Sequence, residues 1–416
     1  MNKYPVELLD EYIKLQDVVN DHQVRGIIIF KEHIDTDRFK KSVNISFDYV
    51  PVLRCKYSQT GSKVLWEESD YTDDDFFCVR NTNNISKENI VEYLKKIPGN
   101  NGPQIFVQII CQDANDVAII TVNHMVFDGS GLKLYLYLLS KIYSNDSIDK
   151  INLDRRMNTL FKNISAKQKF LSLFRKTYNR TKIEILSDKN DDIETRLGLF
   201  KIDVVEFQII KGICKKSGIT INDFILTLFF HAIFCLEHEK IDRVTIQIMF
   251  DLRRYINKYP VSQFGNFSSM ESMTIVNKNQ SFFDLSQEIS KYMRKIKSHF
   301  PGIKNVLIMN SLFELLPRNM FDRILSREIQ SLGISISNLG IIDDKKLCFS
   351  GHKIIDAYML TSIKNQPAIQ LSFSTFKDTV TMGMLGNYSM KNWEIVEKLI
   401  DTMSRDVNVL TSEKSN

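Results

Sequence analysis

The sequence is built around the stretch Thr121-Val122-Asn123-His124-Met125-Val126-Phe127-Asp128-Gly129-Ser130. Residues 117–122 carry the β-branched side chains that are typical of a buried strand. A glycine-containing turn follows, and residues 132–143 then repeat leucine, tyrosine and isoleucine at helical spacing. The pattern His-x-x-x-Asp-Gly therefore lies where a strand ends and a helix begins.

The residues of this pattern suit acid–base catalysis. Imidazole has a pKa near neutrality, so His124 at a strand end beside a cleft could deprotonate a hydroxyl or amine that attacks an activated acyl carbonyl. Asp128 could orient the imidazole, or it could turn away and pair with a cation, and Gly129 would permit the turn. The alternative is a histidine that caps a core strand followed by an ordinary Asp-Gly turn, because short motifs recur by chance.

Composition narrows the class of protein. The 416 residues are enough for two domains, and 43% hydrophobic with 25% charged residues is ordinary for a globular protein. The net charge of +5 is too mild to indicate nucleic acid binding. Six scattered cysteines lack metal-binding spacing, which predicts buried thiols in a reducing compartment and no metal site. We expect no signal peptide and no transmembrane segment, and hence a cytoplasmic location.

The first half of the chain predicts alternating strands and helices. The predicted elements are a strand at 24–30, a helix opened by Asp35, a strand at 51–57, a helix from Ser86 to about residue 96, and a hairpin of residues 104–111 and 117–122. The motif follows the second strand of this hairpin.

A basic segment, residues 154–182, follows the first half. Its cations are Arg155, Arg156, Lys162, Lys167, Lys169, Arg175, Lys176, Arg180 and Lys182. We expect its Phe170, Leu171 and Phe174 to pack on the protein while the charges face out. Such a segment could bind an acidic carrier protein, a phosphorylated cofactor or an anionic membrane, or it could be a solvated crossover. Acidic residues next to it predict a boundary between lobes at 1–185 and 186–416.

The second half repeats the alternation. The predicted elements are an extended segment at 199–203, a helix at 204–217, a helix at 224–236 with a capping box of Thr220 and Asp223, a strand at 244–250, helices at 282–300 and 305–316, a strand at 334–340, paired strands at 368–376 and 379–385, and a helix at 392–409. Gly265 suits a bend in a strand, where backbones approach closely.

Further short segments accompany the motif in order along the chain. They are Asp35-Thr36-Asp37-Arg38-Phe39, Val50-Pro51-Val52-Leu53-Arg54, Phe250-Asp251-Leu252-Arg253, Phe264-Gly265-Asn266-Phe267-Ser268 and Ser337-Asn338-Leu339-Gly340. With the motif, they resemble the chloramphenicol-acetyltransferase-like superfamily, which includes condensation domains of peptide synthetases, polyketide-associated acyltransferases and alcohol O-acetyltransferases. The resemblance covers nearly the whole chain.

The resemblance implies an α/β (α+β) fold of two similar lobes with mixed sheets and a tunnel between them. Acyl donor and acceptor would enter from opposite faces and meet at His124, while Asp128 would pair with Arg253 in a structural role beside Gly129. Residues that could line the tunnel are Asn123, Phe127, Gly265, Asn266, Ser268, Ser337 and Asn338. Many condensation domains carry a second histidine immediately before the motif histidine, where this chain has Asn123.

These features predict a free-standing acyltransferase. It would move an acyl group from a thioester, bound to coenzyme A or to the phosphopantetheine of an acyl or peptidyl carrier protein, to a small alcohol or amine, with His124 as the general base. It would need no metal and no tightly bound cofactor. Two alternatives stay open at this point: a free-standing amide-forming condensation enzyme of the peptide-synthetase type, and a non-catalytic scaffold that binds carrier proteins.

Overall fold

A computed structural model describes residues 2–60, 63–86, 90–94, 101–148, 151, 153–173, 185–186, 192–236, 241–256, 263–329 and 333–412. Within these ranges the protein has a mixed α/β architecture. The strands are β1 (Lys3–Pro5), β2 (Gln23–Phe30), β3 (Cys55–Thr60), β4 (Lys63–Glu68), β5 (Phe77–Asn81), β6 (Ile105–Cys111), β7 (Asp116–Asn123), β8 (Glu194–Ile202), β9 (Arg243–Asp251), β10 (Ser268–Val276), β11 (Ile334–Ile342), β12 (Ile354–Leu360), β13 (Lys364–Asn365), β14 (Ile369–Phe376) and β15 (Thr379–Tyr388).

Helices connect and cover these strands. They are α1 (Leu8–Lys14), α2 (Thr36–Tyr49), α3 (Asp73–Phe76), α4 (Gly129–Ser144), α5 (Met157–Lys162), α6 (Ala166–Leu173), α7 (Val204–Ser217), α8 (Ile221–Phe234), α9 (Phe282–Lys297), α10 (Ile303–Leu315), α11 (Arg318–Ile329) and α12 (Met390–Ser412). Short 3₁₀ turns lie at Leu15–Val18, Pro51–Arg54, Ile90–Tyr93 and Leu252–Tyr255.

The first sheet has five strands in the order β12-β2-β7-β6-β5. Its central strands β2 and β7 are apolar and fully buried, because α4 covers one face of the sheet through side chains such as Leu136 and Leu139. The edge strand β12 comes from the second half of the chain and pairs antiparallel with β2. The division into lobes at 1–185 and 186–416 stays a prediction, and β12 is a segment of the predicted second lobe that completes the sheet of the first.

The second sheet has seven strands, in which β11 lies parallel to both β9 and β14. Alternate residues of its strands face opposite ways, as the period of a strand requires. Ile246, Ile336 and Leu371 join the helix-covered core with α8 and α12, whereas Gln247, Ser337 and their neighbours face an internal cavity. Isoleucine alternates with serine or glutamine in these strands, so the sheet has one apolar face and one polar face.

Most of the predicted elements form where we expect them. The capping boxes of Asp203 and Thr220 start α7 and α8, and Gly218 ends α7 in the left-handed conformation. Residues 51–57 are not one strand, since Pro51–Arg54 forms a 3₁₀ turn before β3. The helix expected from Ser86 is a single 3₁₀ turn at Ile90–Tyr93 in its described part, and the remainder lies outside the described residues. Neither α11 nor β12 is predicted by the sequence pattern.

Candidate active site

The strand-to-helix turn after β7 places His124 at the edge of the cavity. The strand pairing continues one residue further, because the His124 N–H donates to His22 O at 2.6 Å. The ring lines the cavity, and its Nδ1 is buried without a described hydrogen-bond partner. Burial holds the pKa of His124 below its ordinary value, so the imidazole is neutral near pH 7. A neutral imidazole can accept a proton.

Asp128 caps α4 and does not orient the His124 ring. One carboxylate oxygen accepts the Gly131 N–H at 2.8 Å. The other accepts hydrogen bonds from Arg253 at 2.8 Å and from Phe267 N at 2.7 Å. Burial alone would raise the pKa of Asp128, but the guanidinium and the backbone donors together hold it below its ordinary value. The carboxylate is therefore ionised and fixed.

Arg253 joins the motif to the second half of the chain. Besides Asp128, it donates to Gly265 O at 2.9 Å and to Gln263 O at 3.0 Å. Its guanidinium also lies over the Phe267 ring, 4.9 Å from the ring centroid. With several donors in use, the planar fork of arginine holds the loop 263–267 against the motif in a way that a lysine could not.

This loop carries a second polar group to the histidine. Gly265 has a φ of +136°, a conformation that side chains disfavour, and its carbonyl accepts the Asp128 N–H at 3.3 Å. The next residue, Asn266, donates through Nδ2 to the carbonyls of His124 at 2.7 Å and Met125 at 2.9 Å. Its Oδ1 is buried without a described partner and Asn266 lines the cavity. Asn266 thus fixes the motif backbone and offers an acceptor.

The cavity has a volume of about 390 Å³ and two chemically different walls. The polar wall comes from the second sheet and the segment after β12: Gln247, Ser268, Ser335, Ser337, Thr361, Ser362, Lys364 and Gln370. The apolar wall comes from α1, α10, α11 and neighbouring residues: Leu9, Ile13, Val306, Ile308, Met309, Leu312, Ile324 and Leu325. His124 lines the same cavity. That this cavity is a tunnel open on two faces stays a prediction.

The structure brings together some of the predicted lining residues and not others. Gly129, Asn266, Ser268 and Ser337 line the cavity. The other predicted lining residues, Asn123, Phe127, Gly265 and Asn338, are not part of the lining.

Asn123 is buried in the sheet, where it donates to Gln104 at 2.8 Å and accepts the Met125 N–H. Phe127 packs in the core against Phe264, with ring centroids 5.4 Å apart. The Gly265 backbone is occupied by the motif, and Asn338 is exposed on the opposite side of β11 from Ser337. These placements follow from strand alternation and from core packing around the turn.

Arg155 is a positioning residue whose role the sequence does not reveal. Its charge groups it with the basic segment, yet the structure buries it beneath the motif loop. Its guanidinium donates to Asp10 at 2.7 Å and to the Met125 carbonyl at 3.0 Å. The expectation that all charges of the segment face out is wrong here, because a buried carboxylate from α1 and a motif carbonyl together attract this cation.

Among the described cations of the basic segment, Arg156, Lys162 and Lys167 are exposed. Phe170 and Leu171 are 61% and 47% exposed, so the expectation that they pack on the protein is wrong. Lys169 lies 5.8 Å from the Phe161 ring centroid and lines a shallow depression with Arg156 and Lys162. Phe174, Arg175, Lys176, Arg180 and Lys182 lie outside the described residues.

Two further charged or titratable residues lie near His124 and are absent from the predicted site. His22 contacts Asp17 through Nδ1 at 3.3 Å, and burial lowers its pKa to about 4. Lys364 lines the cavity, and burial lowers its pKa to about 8. No motif signals either residue; a cation within a stretch of polar residues, as in Ser362-Ile363-Lys364-Asn365, looks like a surface turn.

The described residues contain no candidate metal site and no single membrane-spanning helix. Among the described residues, no three His, Cys, Asp or Glu side chains cluster so as to hold a metal ion. No single described helix is both long and apolar enough to cross a bilayer; α7 and α8 would qualify jointly, but they meet at a bend of 99°.

No known family model matches the sequence, and no curated protein does. Solved structures do match the fold. The first condensation domain of the calcium-dependent antibiotic synthetase, in complex with a substrate analogue, matches with a TM-score of 0.67 at 10% identity over 98% of this chain and 96% of that one. The fold is that of the condensation domains. This confirms the predicted resemblance and the predicted class of two-lobed α/β fold.

Two other structures with the same fold are not named as condensation domains. The epimerization domain from the third module of tyrocidine synthetase B has a TM-score of 0.59 and 14% identity, over 99% of this chain and 97% of that one. Polyketide synthase associated protein 5 from Mycobacterium tuberculosis has a TM-score of 0.62 and 12% identity, over 98% of this chain and 99% of that one. One fold therefore serves several chemistries, and the site must decide the function.

Proposed function

We propose that this protein is an acyltransferase that moves an acyl group from a thioester to an alcohol or amine, with His124 as the general base. The observation that carries the proposal is the neutral His124 ring in a cavity that is lined by both apolar and polar side chains. The apolar wall suits an acyl chain, and the polar wall suits an acceptor that brings a hydroxyl or amine to the ring.

In the proposed reaction, His124 takes the proton of the acceptor O–H or N–H as the acceptor atom attacks the thioester carbonyl. The new C–O or C–N bond forms, and the tetrahedral intermediate then expels the thiolate as the C–S bond breaks. The imidazolium returns its proton to the sulfur, so the enzyme ends neutral and a free thiol is released. Since Nδ1 is buried, we assign the transfer to Nε2.

The other motif residues act by position. Asp128 and Arg253 hold the turn, and Arg155 and Asn266 both donate to the carbonyl of Met125. Fixing the backbone that follows His124 restricts the imidazole to the geometry that proton transfer requires.

The donor is either acyl-coenzyme A or an acyl group on a carrier protein. A mutant of the starter condensation domain of rhizomide synthetase was solved in complex with C8-CoA, with a TM-score of 0.65 at 10% identity. We propose by analogy that this protein also takes acyl-coenzyme A, and that the surface of α5 and α6 binds the phosphates or an acidic carrier protein. The alternative is that this surface is a solvent-exposed crossover between the two halves of the chain and binds no partner.

The test is thiol release from octanoyl-coenzyme A in the presence of a mixed pool of alcohols and amines, with mass analysis of the products. Ester or amide products that form with release of thiol support the proposed transfer to an alcohol or amine. Amides as the sole products would narrow the proposal to the amide-forming condensation enzyme. Absence of His124-dependent thiol release with both coenzyme A and carrier-bound donors would favour the non-catalytic scaffold and overturn the proposal.

We also propose a reducing, cytoplasmic location. All six cysteines are free thiols, but the prediction that they are buried is wrong for Cys235 and Cys348, which are exposed. Exposed free thiols are disfavoured in an oxidising compartment. Thiol titration of the protein purified from its native cells tests this proposal.

A further inference from the structure

A lysine lies in the cavity beside the proposed base. Lys364 forms a bridge with Asn20, and the neighbouring segment continues to His22, whose carbonyl accepts the His124 N–H at 2.6 Å. Lys364 and His124 therefore approach the cavity from adjoining segments, and both line it. The positive charge of Lys364 is close enough to contribute to the lowered pKa of His124.

Lys364 has no counter-ion among the described residues. Asp21 is the carboxylate that acts on it electrostatically, but Asp21 is engaged elsewhere. Its oxygens accept hydrogen bonds from the Arg25 side chain, from Ile363 N at 2.9 Å and from Gln23 N at 3.2 Å. Lys364 is partly buried and lines the cavity, and an ammonium group without a counter-ion in such a site favours an anion as its partner.

The surroundings of Lys364 indicate which part of a substrate would supply that anion. Thr361, Ser362 and Gln370 line the cavity with it, and these polar side chains can bind the rest of a small polar molecule. The apolar wall, where an acyl chain would lie, is formed mainly by α1, α10 and α11 instead. Lys364 thus belongs to the polar part of the lining, where the proposed acceptor would bind.

We infer that Lys364 binds a carboxylate of the acceptor, so that the acceptor is an amino acid or hydroxy acid rather than a neutral amine or alcohol. This inference rests on the proposed acyl transfer and names its acceptor class. The carboxylate would neutralise the buried ammonium and would hold the adjacent amine or hydroxyl beside His124.

The test measures binding of two product-like probes by calorimetry. N-octanoylglycine carries a carboxylate on the acceptor side, and N-octanoylglycinamide carries a neutral amide in its place. We expect wild-type protein to bind the carboxylate about tenfold to 100-fold more tightly, as a charge-assisted hydrogen bond in a buried site provides. Lys364→Met should abolish this preference, while Lys391→Met, a change at an exposed lysine of α12, should preserve it.

A third probe checks the side of the cavity. The N-methyl monoamide of octanedioic acid carries its carboxylate at the far end of the acyl chain, and its binding should not depend on Lys364. Tighter, Lys364-dependent binding of this probe would instead place the carboxylate on the donor and overturn the acceptor assignment. Equal binding of the two glycine probes by wild-type protein would overturn the inference even if Lys364→Met fails to fold.

The inference and the proposed function fail separately. If acyl transfer depends on His124 but the glycine probes bind equally, the acceptor class is wrong and the acyltransferase stands. If transfer does not depend on His124, the proposed function is wrong whatever the probes do.

Discussion

The Asp128 carboxylate accepts a 2.8 Å hydrogen bond from Arg253, and the same oxygen accepts the Phe267 N–H at 2.7 Å. Asp128 belongs to the turn that carries His124, whereas Arg253 and Phe267 belong to the second half of the chain. Because both groups are almost fully buried, this pair ties the turn to the loop that lines the cavity. The positions of His124 and Asn266 relative to each other therefore depend on it.

Replacing His124 by alanine should lower the rate of acyl transfer by about 10²–10⁴-fold, the usual contribution of a general base. The ring is not part of a hydrophobic core cluster, so the melting temperature should change little. The measurement is thiol release at saturating donor. His299→Ala, at an exposed position after α9, is the matched control and should keep the parental rate. Parental activity in a folded His124→Ala protein would contradict the assignment of the base.

Asp128→Asn should reduce the free energy of unfolding by about 3 kcal/mol, because it removes the buried carboxylate partner of Arg253 and leaves only the more exposed Asp251 at 3.1 Å. Glu288→Gln, which removes an exposed ion pair with Lys278, should cost less than about 1 kcal/mol. Denaturant unfolding of both variants and the wild-type protein measures the two losses in the free energy of unfolding. Equal, small effects would mean that the buried pair contributes no more than the surface pair.

The same pair predicts a pH dependence of stability. The pKa of Asp128 is lowered in the folded protein, so its contribution is fully present above the unfolded value of about 4 and is lost as pH falls towards the folded value. Between about pH 4 and pH 2, wild-type protein should therefore lose more stability than Asp128→Asn. Unfolding curves of both proteins at matched ionic strength measure the difference.

The acid limb of kcat/KM should have a midpoint below about 6.5, the ordinary pKa of histidine, because burial lowers the pKa of His124. Lys364 adds to this lowering, so Lys364→Met should move the midpoint to higher pH. Lys391→Met should leave it in place. The pH–rate profile of each variant is measured with a neutral acceptor, which keeps acceptor binding independent of Lys364. A midpoint that does not move would show that the two groups are uncoupled.

Gly129→Ala should narrow the cavity beside His124. A methyl group at this position would overlap Leu339 Cδ2, and Leu339 lines the cavity. The overlap lies at the end of a flexible side chain, so we expect a stability cost of about 1–3 kcal/mol and a larger loss of activity with octanoyl than with acetyl donor. The double variant Gly129→Ala/Leu339→Ala should recover the octanoyl activity. Equal losses with both donors would contradict the steric explanation.

Reversing Lys167, Lys169, Arg175 and Lys176 to glutamate should raise KM for an anionic donor and leave kcat nearly unchanged. The effect should fade at high salt, since surface charges are screened within about 8–10 Å at physiological ionic strength. The matched control reverses Lys215, Lys216, Lys295 and Lys297, which lie in the last turns of α7 and α9. Unaltered donor KM in the first variant would favour the solvated crossover.

The sequence predicts the local part of the site well. The strand predicted at 117–122, the helix predicted at 132–143 and the capping box at Thr220 depend on residues close in the chain. All three form, the strand as Asp116–Asn123 and the helix as Gly129–Ser144. The pairing of Asp128 with Arg253 is also found, but it was expected from the family resemblance and not from the local pattern. Hydrophobic periodicity alone contains no information on which distant cation meets which carboxylate.

The parts that the sequence does not predict depend on long-range contacts. Arg155 and Lys364 look like surface cations in their local sequences, and only tertiary packing buries one beneath the motif and the other in the cavity. Pro51 starts a 3₁₀ turn because a proline cannot donate to a sheet, although the β-branched residues around it favour a strand. The sequence does contain a signal for the polar wall of the cavity, since serine and glutamine alternate with apolar residues in β11 and β14.

The pairing of β12 with β2 has a consequence for synthesis on the ribosome. A hydrogen bond beside this pair, from Ile363 N to Asp21, joins residues 342 apart in the chain. The edge of β2 thus stays uncovered until almost the whole chain has emerged, and the nascent first half presents an apolar strand that other chains can pair with. Slow translation before residue 354 would lengthen the exposure of β2 and so favour aggregation. A chaperone bound to β2 would protect this strand until β12 has been synthesised.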